Sequence, residues 1–520
     1  MMKKLISKFL VASLMLLFTN VLSAQKTVTG KISDPNNQPV AGATVTVTGT
    51  SIATQTDVSG NFSIGVPQGR NSLTVSYVGY DNQTVIISGS SVSIALKTAI
   101  SSLSEVVVTG YGTQRKKDIT GSVAVVDVAA LRQQPVGTGA EALQGQASGV
   151  TIITSGQPGA ASDIRIRGIT AFGNNSPLII VDGVRGDLQN ININDVESMQ
   201  VLKDASAAIY GIAGSNGVII ITTKRGRSGK ARLSYDNYYG VTTRGKGYDM
   251  ASTQEEANAI WLQQKNSGIA IPSHKQFGTG PNPVIPDYIT PFGVTGTVDE
   301  TKYDINSNQI TRANKVGTNW YREITRNAPK QNHNISVSAG SDKNSYFFSM
   351  GFLDNQGIAQ FQYQKRYSLR ANTQFSLGDH IRIGENAYLW YGQNPRFGNQ
   401  GEGSPFSVAF RESAVIPVYD IRGNFAGTKS QDLGNARNPF ADIYRTKDNR
   451  GNEWNMNGNV YAEVDFLKHF TFRTNFGGTM NNNYYYFFNY VGYENAEGNT
   501  GANSFGEGAG YNTQWTYNNV

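Results

Sequence analysis

Apolar and polar positions alternate through much of residues 231–520. In residues 345–353 the bulky apolar side chains Tyr346, Phe348, Met350 and Phe352 fall on even positions, with Phe347 the exception on the odd ones. In residues 366–375 Tyr367, Leu369, Ala371, Thr373 and Phe375 alternate with Arg366, Ser368, Arg370, Asn372 and Gln374. Ile335, Val337 and Ala339, then Val460, Ala462, Val464 and Phe466, then Phe470, Phe472 and Phe476 repeat the pattern. A period of two puts each set on one face of a strand. Segments of about 10 residues, apolar one way and polar the other, predict transmembrane antiparallel β-strands. About nine such segments are expected, near residues 232, 332, 344, 365, 380, 456, 469, 483 and 512. An ordinary antiparallel sandwich also alternates. Aromatic residues separate the two: residues 1–230 contain 8, whereas the remainder holds 46, including all 5 tryptophans. Tyr and Trp concentrate where an apolar phase meets a polar one.

The front of the chain has a different texture. Residues 1–24 carry Lys3, Lys4 and Lys8, then a short apolar run and a small residue, Ala24. This is the form of a secretory signal peptide, too short to span a bilayer. Residues 25–98 read as short strands between turn signals, which suggests a β-sandwich. Within it, residues 57–60 look like part of a calcium loop but lack the further carboxylates, so a hairpin turn is expected. Residues 99–114 form a linker that includes Glu105, Val106, Val107, Val108, Thr109 and Gly110.

Residues 115–226 mix short helices and strands. Strands are expected at 152–153, 164–167, 178–181 and 218–223, and short helical pieces before Pro135 and over 140–146. Asp182-Gly183 is a tight-turn signal, and Asn194 with Glu197 three residues on predicts a capped helix start. Arg165 and Arg167 share a strand face. They either grip the inner wall of a barrel or form a solvated, ion-paired face.

Chemistry-bearing residues are few. Cysteine is absent, so no disulfide, thiolate metal site or catalytic thiol exists. The four histidines, His274, His333, His380 and His469, are far apart. The net charge of +7 falls to +4 without the three lysines of the leader, and no nucleic-acid partner follows from it. Arg227-Ser228-Gly229-Lys230 misses the phosphate-loop spacing. Nothing here calls for an enzyme, a cofactor or a bound metal.

Four stretches, in order, bring the chain to a family. Glu105-Val106-Val107-Val108-Thr109-Gly110 follows the sandwich. Ile164-Arg165-Ile166-Arg167-Gly168 precedes Leu178-Ile179-Ile180-Val181-Asp182-Gly183. Lys203-Asp204-Ala205-Ser206 and Tyr210-Gly211 lead to Asn216-Gly217-Val218. Ala328-Pro329-Lys330-Gln331-Asn332-His333 opens a strand. Together they resemble the SusC/RagA family of TonB-linked outer-membrane transporters, and residues 25–98 resemble a carboxypeptidase regulatory-like domain.

The resemblance implies a multidomain fold: a regulatory-like sandwich, an α+β plug over 115–226, and from 227 to 520 the first part of an antiparallel transmembrane β-barrel. It makes residues 105–110 the TonB box, an extended segment to which TonB adds as a strand; read alone, a Val-Val-Val run is more often a core strand. It implies TonB-energised import of an oligosaccharide or peptide nutrient. The implied partners are TonB with its inner-membrane energising complex, a SusD-like surface lipoprotein as lid, and outer-membrane lipid. The plug and sandwich would face the periplasm. Barrels of this kind have about 22 strands. With about nine segments the chain is expected to be the N-terminal part of such a transporter, and alone not to form a heat-resistant barrel, because unpaired strand edges in lipid are costly. A non-transporting surface adhesin, or a secreted hydrolase with an accessory sandwich, is the alternative. Tyr484-Tyr485-Tyr486-Phe487-Phe488 could stack sugars or sit at the membrane interface.

Overall fold

A computed structural model describes residues 26–35, 37–77, 80–97, 106–109, 112–115, 122–170, 172–292, 296–395, 401–467, 469–495 and 502–520. The expected signal peptide, Glu105 and Gly110 lie outside the described residues.

The first unit is the sandwich. One sheet has β1 (Lys26–Ser33) between β4 (Asn61–Val66), antiparallel, and β7 (Ser91–Ala95), parallel. The other runs β3-β2-β5-β6, with β2 Thr44–Val47, β3 Ala53–Gln55, β5 Ser72–Ser76 and β6 Gln83–Ile86. Alternate residues meet between the sheets: Val28, Ile32, Val45, Phe62, Ile64 and Leu73 are buried in one cluster. Residues 57–60 form the expected turn. Asp57 accepts from the N–H groups of Ser59 and Asn61 at 2.9 and 2.8 Å, so its oxygen serves its own backbone. After the sandwich, β8 (Val106–Thr109) is extended and pairs with β9 (Gly112–Arg115).

The plug comes next. Its sheet has the order β10-β15-β16-β13-β14, from Ser122–Val126 (β10), Val196–Lys203 (β15), Val218–Thr223 (β16), Leu178–Val181 (β13) and Val184–Arg185 (β14). A separate hairpin pairs β11 (Val150–Ile153) with β12 (Asp163–Ile166). Residues 199–203 of β15 and 218–221 of β16 are buried on both faces, as a covered sheet requires. The helix expected at Asn194–Glu197 is not formed. Asn192 caps a three-residue turn, Ile193–Asp195, and the chain enters β15 at Val196. The run Val196-Glu197-Ser198-Met199 extends a buried strand, and that burial overrides the local capping signal.

The wall is one antiparallel sheet of eight strands in chain order. They are β17 (Gly229–Thr242), β22 (Ala328–Gly340), β23 (Asn344–Gln356), β24 (Tyr363–Leu377), β25 (Ile381–Asn394), β26 (Arg450–Phe466), β27 (Phe470–Asn489) and β28 (Ser504–Asn519). The expected count of nine is corrected to eight, because the segments near 469 and 483 are one 20-residue strand. Gly477-Gly478 and Asn481-Asn482-Asn483 are turn-prone, yet the backbone pairs straight through them with β26 and β28. Strands of 13 to 20 residues also exceed the expected length, since each continues past the apolar band. Among the described residues β17 and β28 each have one neighbour, so the sheet is open.

Side chains sort as the alternation demands. Phe348, Met350, Tyr367 and Leu369 face outward and are about half exposed, while Ser349, Arg366, Arg370 and Asn372 face inward and are buried. Phe347, the apolar exception, is buried on the inward face. One end of the sheet has three-residue turns, at 341–343 and 378–380. The other carries long connections, 243–327 and 395–449. These two segments share a core of their own that includes Trp261, Phe277, Trp320, Val415, Ile416 and Ile443. Within it lie two small pairings, β18 (Ser273–His274) with β19 (Gly278–Thr279), and β20 (Tyr288–Ile289) with β21 (Thr311–Arg312). No helix among the described residues is long and apolar enough to cross a membrane.

Candidate functional site

The plug packs against the inward face of the wall, and the contact centres on one cation. Arg370, on β24, is 2% exposed at its side chain. Its Nε donates to Asp195 Oδ2 at 3.3 Å, and its Nη1 lies 3.7 Å from Asp182 Oδ2. The guanidinium sits 4.4 Å from the Tyr388 ring centroid. Tyr388 in turn donates to the carbonyl of Asn190 in the plug at 2.7 Å.

Both aspartates are placed by plug backbone. Asp182 and Gly183 have φ of 50° and 91°, and they form the two-residue turn between Val181 and Val184. Positive φ at both positions is the signature of a type I′ hairpin, which Asp-Gly suits. The Asp182 carboxylate is then held by the N–H and hydroxyl of Thr223, at 2.9 and 2.6 Å. Asp195 closes the three-residue turn before β15.

Around this ion cluster the contacts are neutral amides. Asn192 of the plug donates to Asn334 of β22 at 2.8 Å. Asn372 donates to Thr223 Oγ1 and to the Lys224 carbonyl, both at 2.7 Å. Asn459 and Asn457 donate to the carbonyls of Asp182 and Arg185 at 3.0 Å. Two inward glycines admit the plug. A Cβ at Gly351 would stand 2.8 Å from Asn192 Nδ2, and one at Gly477 would stand 2.7 Å from Val184 Cγ1. Glycine inside a strand marks such close approach.

Of the plug residues singled out from sequence, Asp182 touches the wall directly. Of the two readings of Arg165 and Arg167, the ion-paired one is found. Arg165 pairs with Asp163 on its own strand, and Arg167 pairs with Asp204 at 2.5 Å, both inside the plug. Arg167 has φ of 60° and Gly168 of 94°, so the chain turns away there. Lys203 is buried, and its Nζ donates to the Ser148 carbonyl. Asp204 and Gly211 have φ of 54° and 59° and shape the turn between β15 and β16, against which Tyr210 packs. Asn216 donates to the Asn174 carbonyl at 2.9 Å, and Gly217 leaves no room for a Cβ beside Ile166. These residues build the plug; Asp195, Asn192, Arg370 and the wall asparagines hold it. The inward polar row of β24 was visible in the alternation, but its partners were not.

Two cavities lie between plug and wall on the half nearer the long connections. One, of about 510 Å³, is lined by Gln134, Glu141, Gln144, Lys330, Asn355 and Gln356. The other, of about 160 Å³, has Trp390 and Tyr388 beside Arg185, Asp187, Arg370, Asn190 and Asn455. Both mix neutral hydrogen-bonding groups with charged ones, and the smaller one adds an aromatic surface.

The domain built by the long connections contains a buried acid cluster. Glu494 is held by both Nη atoms of Arg445 at 2.6 and 2.9 Å. Glu256 accepts from Ser413 Oγ and the Ala414 N–H. Asp442 lies 3.3 Å from Arg437. Glu412 is 4% exposed, and among the described residues neither carboxyl oxygen has a hydrogen-bond partner. Burial, with Glu256, Glu494 and Asp442 nearby, pushes its carboxyl up from 4.5 to about 8. Burial likewise raises Asp442 to about 6. A raised carboxyl favours the protonated fold. The stability is therefore full below pH 4.5 and is lost as pH rises through about 8. Glu412→Met removes a buried polar group without partners among the described residues, so it should stabilise this domain by about 1–3 kcal/mol at pH 4.5 and by more at pH 8, where the ionisation penalty is relieved as well. Hydrogen exchange over residues 405–445 at both pH values checks this; faster opening of the variant at pH 8 would refute it.

Comparisons with known proteins agree with this architecture. Residues 115–218 match the TonB-dependent Receptor Plug Domain, and residues 28–108 match the CarboxypepD_reg-like domain. TonB-dependent receptor P39 of Formosa agariphila is 31% identical over 90% of this chain and 42% of its own length. TonB-dependent receptor SusC of Bacteroides thetaiotaomicron is 30% identical over 87% of this chain and 44% of its own. The chain thus spans less than half the length of these relatives. A structure of the RagAB peptide importer in its open-open state shares the fold, with a TM-score of 0.61, 24% identity, and coverage of 80% of this chain and 46% of that one. With its sandwich, its plug and eight strands of barrel wall, the chain belongs to the SusC-like TonB-dependent receptors.

Proposed function

We propose that this chain is the gating part of an outer-membrane importer that takes up a multiply hydrogen-bonding nutrient of the oligosaccharide or peptide class. TonB, driven from the inner membrane, pulls on residues 105–110, and a SusD-like lipoprotein lids the long-connection end. The plug and sandwich face the periplasm, in keeping with the short turns that bacterial barrels place on that side.

One observation carries this reading. The plug is held in the wall by two buried arginines, Arg370 on its acids and Arg366 on the Gln189 carbonyl, and a ring of neutral amides. Each neutral hydrogen bond contributes only about 0.5–1.5 kcal/mol net, so the plug can be released by force and can return. A wall domain meant only for adhesion has no use for such a contact.

The test is uptake by cells that carry the full-length gene. Deleting the gene should abolish growth on one oligosaccharide or peptide as sole source, and removing TonB should do the same. Uptake that persists without TonB would overturn the energised mechanism. Hydrolysis of the nutrient by the membrane-extracted protein would instead favour an enzyme. Purification from outer membranes without any lipoprotein would remove the lid from the scheme.

A further inference from the structure

The outward face of the wall carries an aromatic belt on the half nearer the long connections. His333, Phe352, Tyr367, Tyr391 and Trp454 stand directly opposite one another on five successive strands. Their successive ring centroids are 6.2, 5.0, 6.3 and 4.3 Å apart. On the next strand the belt breaks. Asn482 stands opposite Trp454, and Tyr511 stands opposite Asn482.

The break opens a groove of about 480 Å³. It runs from Tyr367 and Leu369 past Leu389, Tyr391 and Trp454 to Tyr511, and Met456 and Met480, paired in register one row deeper, lie in its floor. Trp454 and Tyr511 stand two strand spacings apart, about 10 Å, at its end. Methionine suits such a floor because its side chain adapts to what lies on it. Asn482 is a polar group at the lipid boundary, and its side chain has no hydrogen bond to any described residue.

Two cations stand on the same outward face at the rim above. Lys365 and Arg450 each lie 5.9 Å from the Tyr363 ring centroid. Neither forms an ion pair among the described residues. Asp354 is opposite Lys365 but accepts from Gln356, and Glu507 accepts from Tyr484.

We propose that this slot holds one acyl chain of lipopolysaccharide, the phosphorylated lipid of the outer leaflet. The chain lies between Trp454 and Tyr511, Asn482 meets the ester or amide at its head, and Lys365 and Arg450 meet a phosphate. The proposal rests on the outer-membrane placement above, with the long connections outside. A soluble partner is disfavoured because the slot opens from the apolar band, where the surrounding medium is hydrocarbon.

Native mass spectrometry of the membrane-extracted full-length protein tests it. The unaltered protein should retain one lipopolysaccharide. Met480→Trp, which fills the slot, should lower retention by about tenfold or more. Lys365→Gln with Arg450→Gln should lower it by about tenfold and weaken its salt dependence. Retention of a glycerophospholipid instead, or equal retention by Met480→Trp, would overturn the proposal. Heat-shifted gel mobility confirms that the variants are folded. Normal TonB-dependent uptake without bound lipid would refute the slot and leave the transport reading intact.

Discussion

Val107→Pro abolishes uptake while leaving nutrient binding at the cell surface intact. An outer membrane has no nucleotide supply, so energy for moving the plug must come from the periplasmic side. The segment Val106–Thr109 is extended and precedes the plug. One edge of it pairs with Gly112–Arg115, and among the described residues no other strand pairs with it; TonB would add as a strand along the second edge. That mode of recognition uses main-chain hydrogen bonds, so single side-chain changes such as Val107→Ala should be mild. Proline removes a donor and fixes φ, and should be severe. Deleting residues 105–110 should reproduce it. Uptake should fall to that of cells lacking TonB, with protein abundance in the membrane unchanged. Normal growth of Val107→Pro on the nutrient would place the TonB contact elsewhere, and loss of the protein itself would mean the strand is structural.

Arg370→Met loosens the plug. It removes the cation that pairs with Asp182 and Asp195, whose side chains are 3% and 1% exposed. Breaking a buried pair by removing one partner costs about 3–5 kcal/mol, because a buried charge is left uncompensated. The loss falls on the contact between plug and wall, since each acid is anchored to plug backbone. Cells with the full-length variant should become sensitive to bulky antibiotics that the outer membrane normally excludes, and the plug should exchange amide hydrogens faster. Adding Asp182→Asn and Asp195→Asn should restore most of the barrier, since no unpaired charge then remains. Antibiotic sensitivity and exchange equal to the parent in Arg370→Met would show that the amide contacts alone hold the plug. Failure of the triple variant to recover would show that the ions do more than neutralise each other.

Much of this protein is determined locally. The alternation in residues 366–375 decided which side chains of β24 meet lipid and which meet the lumen, because successive side chains of a strand point to opposite faces. Asp182-Gly183 decided a hairpin, since few other pairs accept positive φ at both positions. Local pattern failed where burial competed with it. Asn194 and Glu197 have the spacing of a helix cap, yet Val196, Met199 and Val201 are buried in a central strand, and the sheet prevailed. The segments near 469 and 483 are one strand, because pairing with β26 on one side and β28 on the other carries the backbone straight through.

The holding contact belongs to tertiary structure alone. Asp195 lies 175 residues before Arg370, and no spacing or period links them. Arginines in the plug drew attention from sequence, while the arginine that matters stands in the wall. Which charge meets which was decided by the register of β24 against the packed plug, and the physical reason is desolvation: once both surfaces are buried, each charged group must find the one partner that the other surface presents.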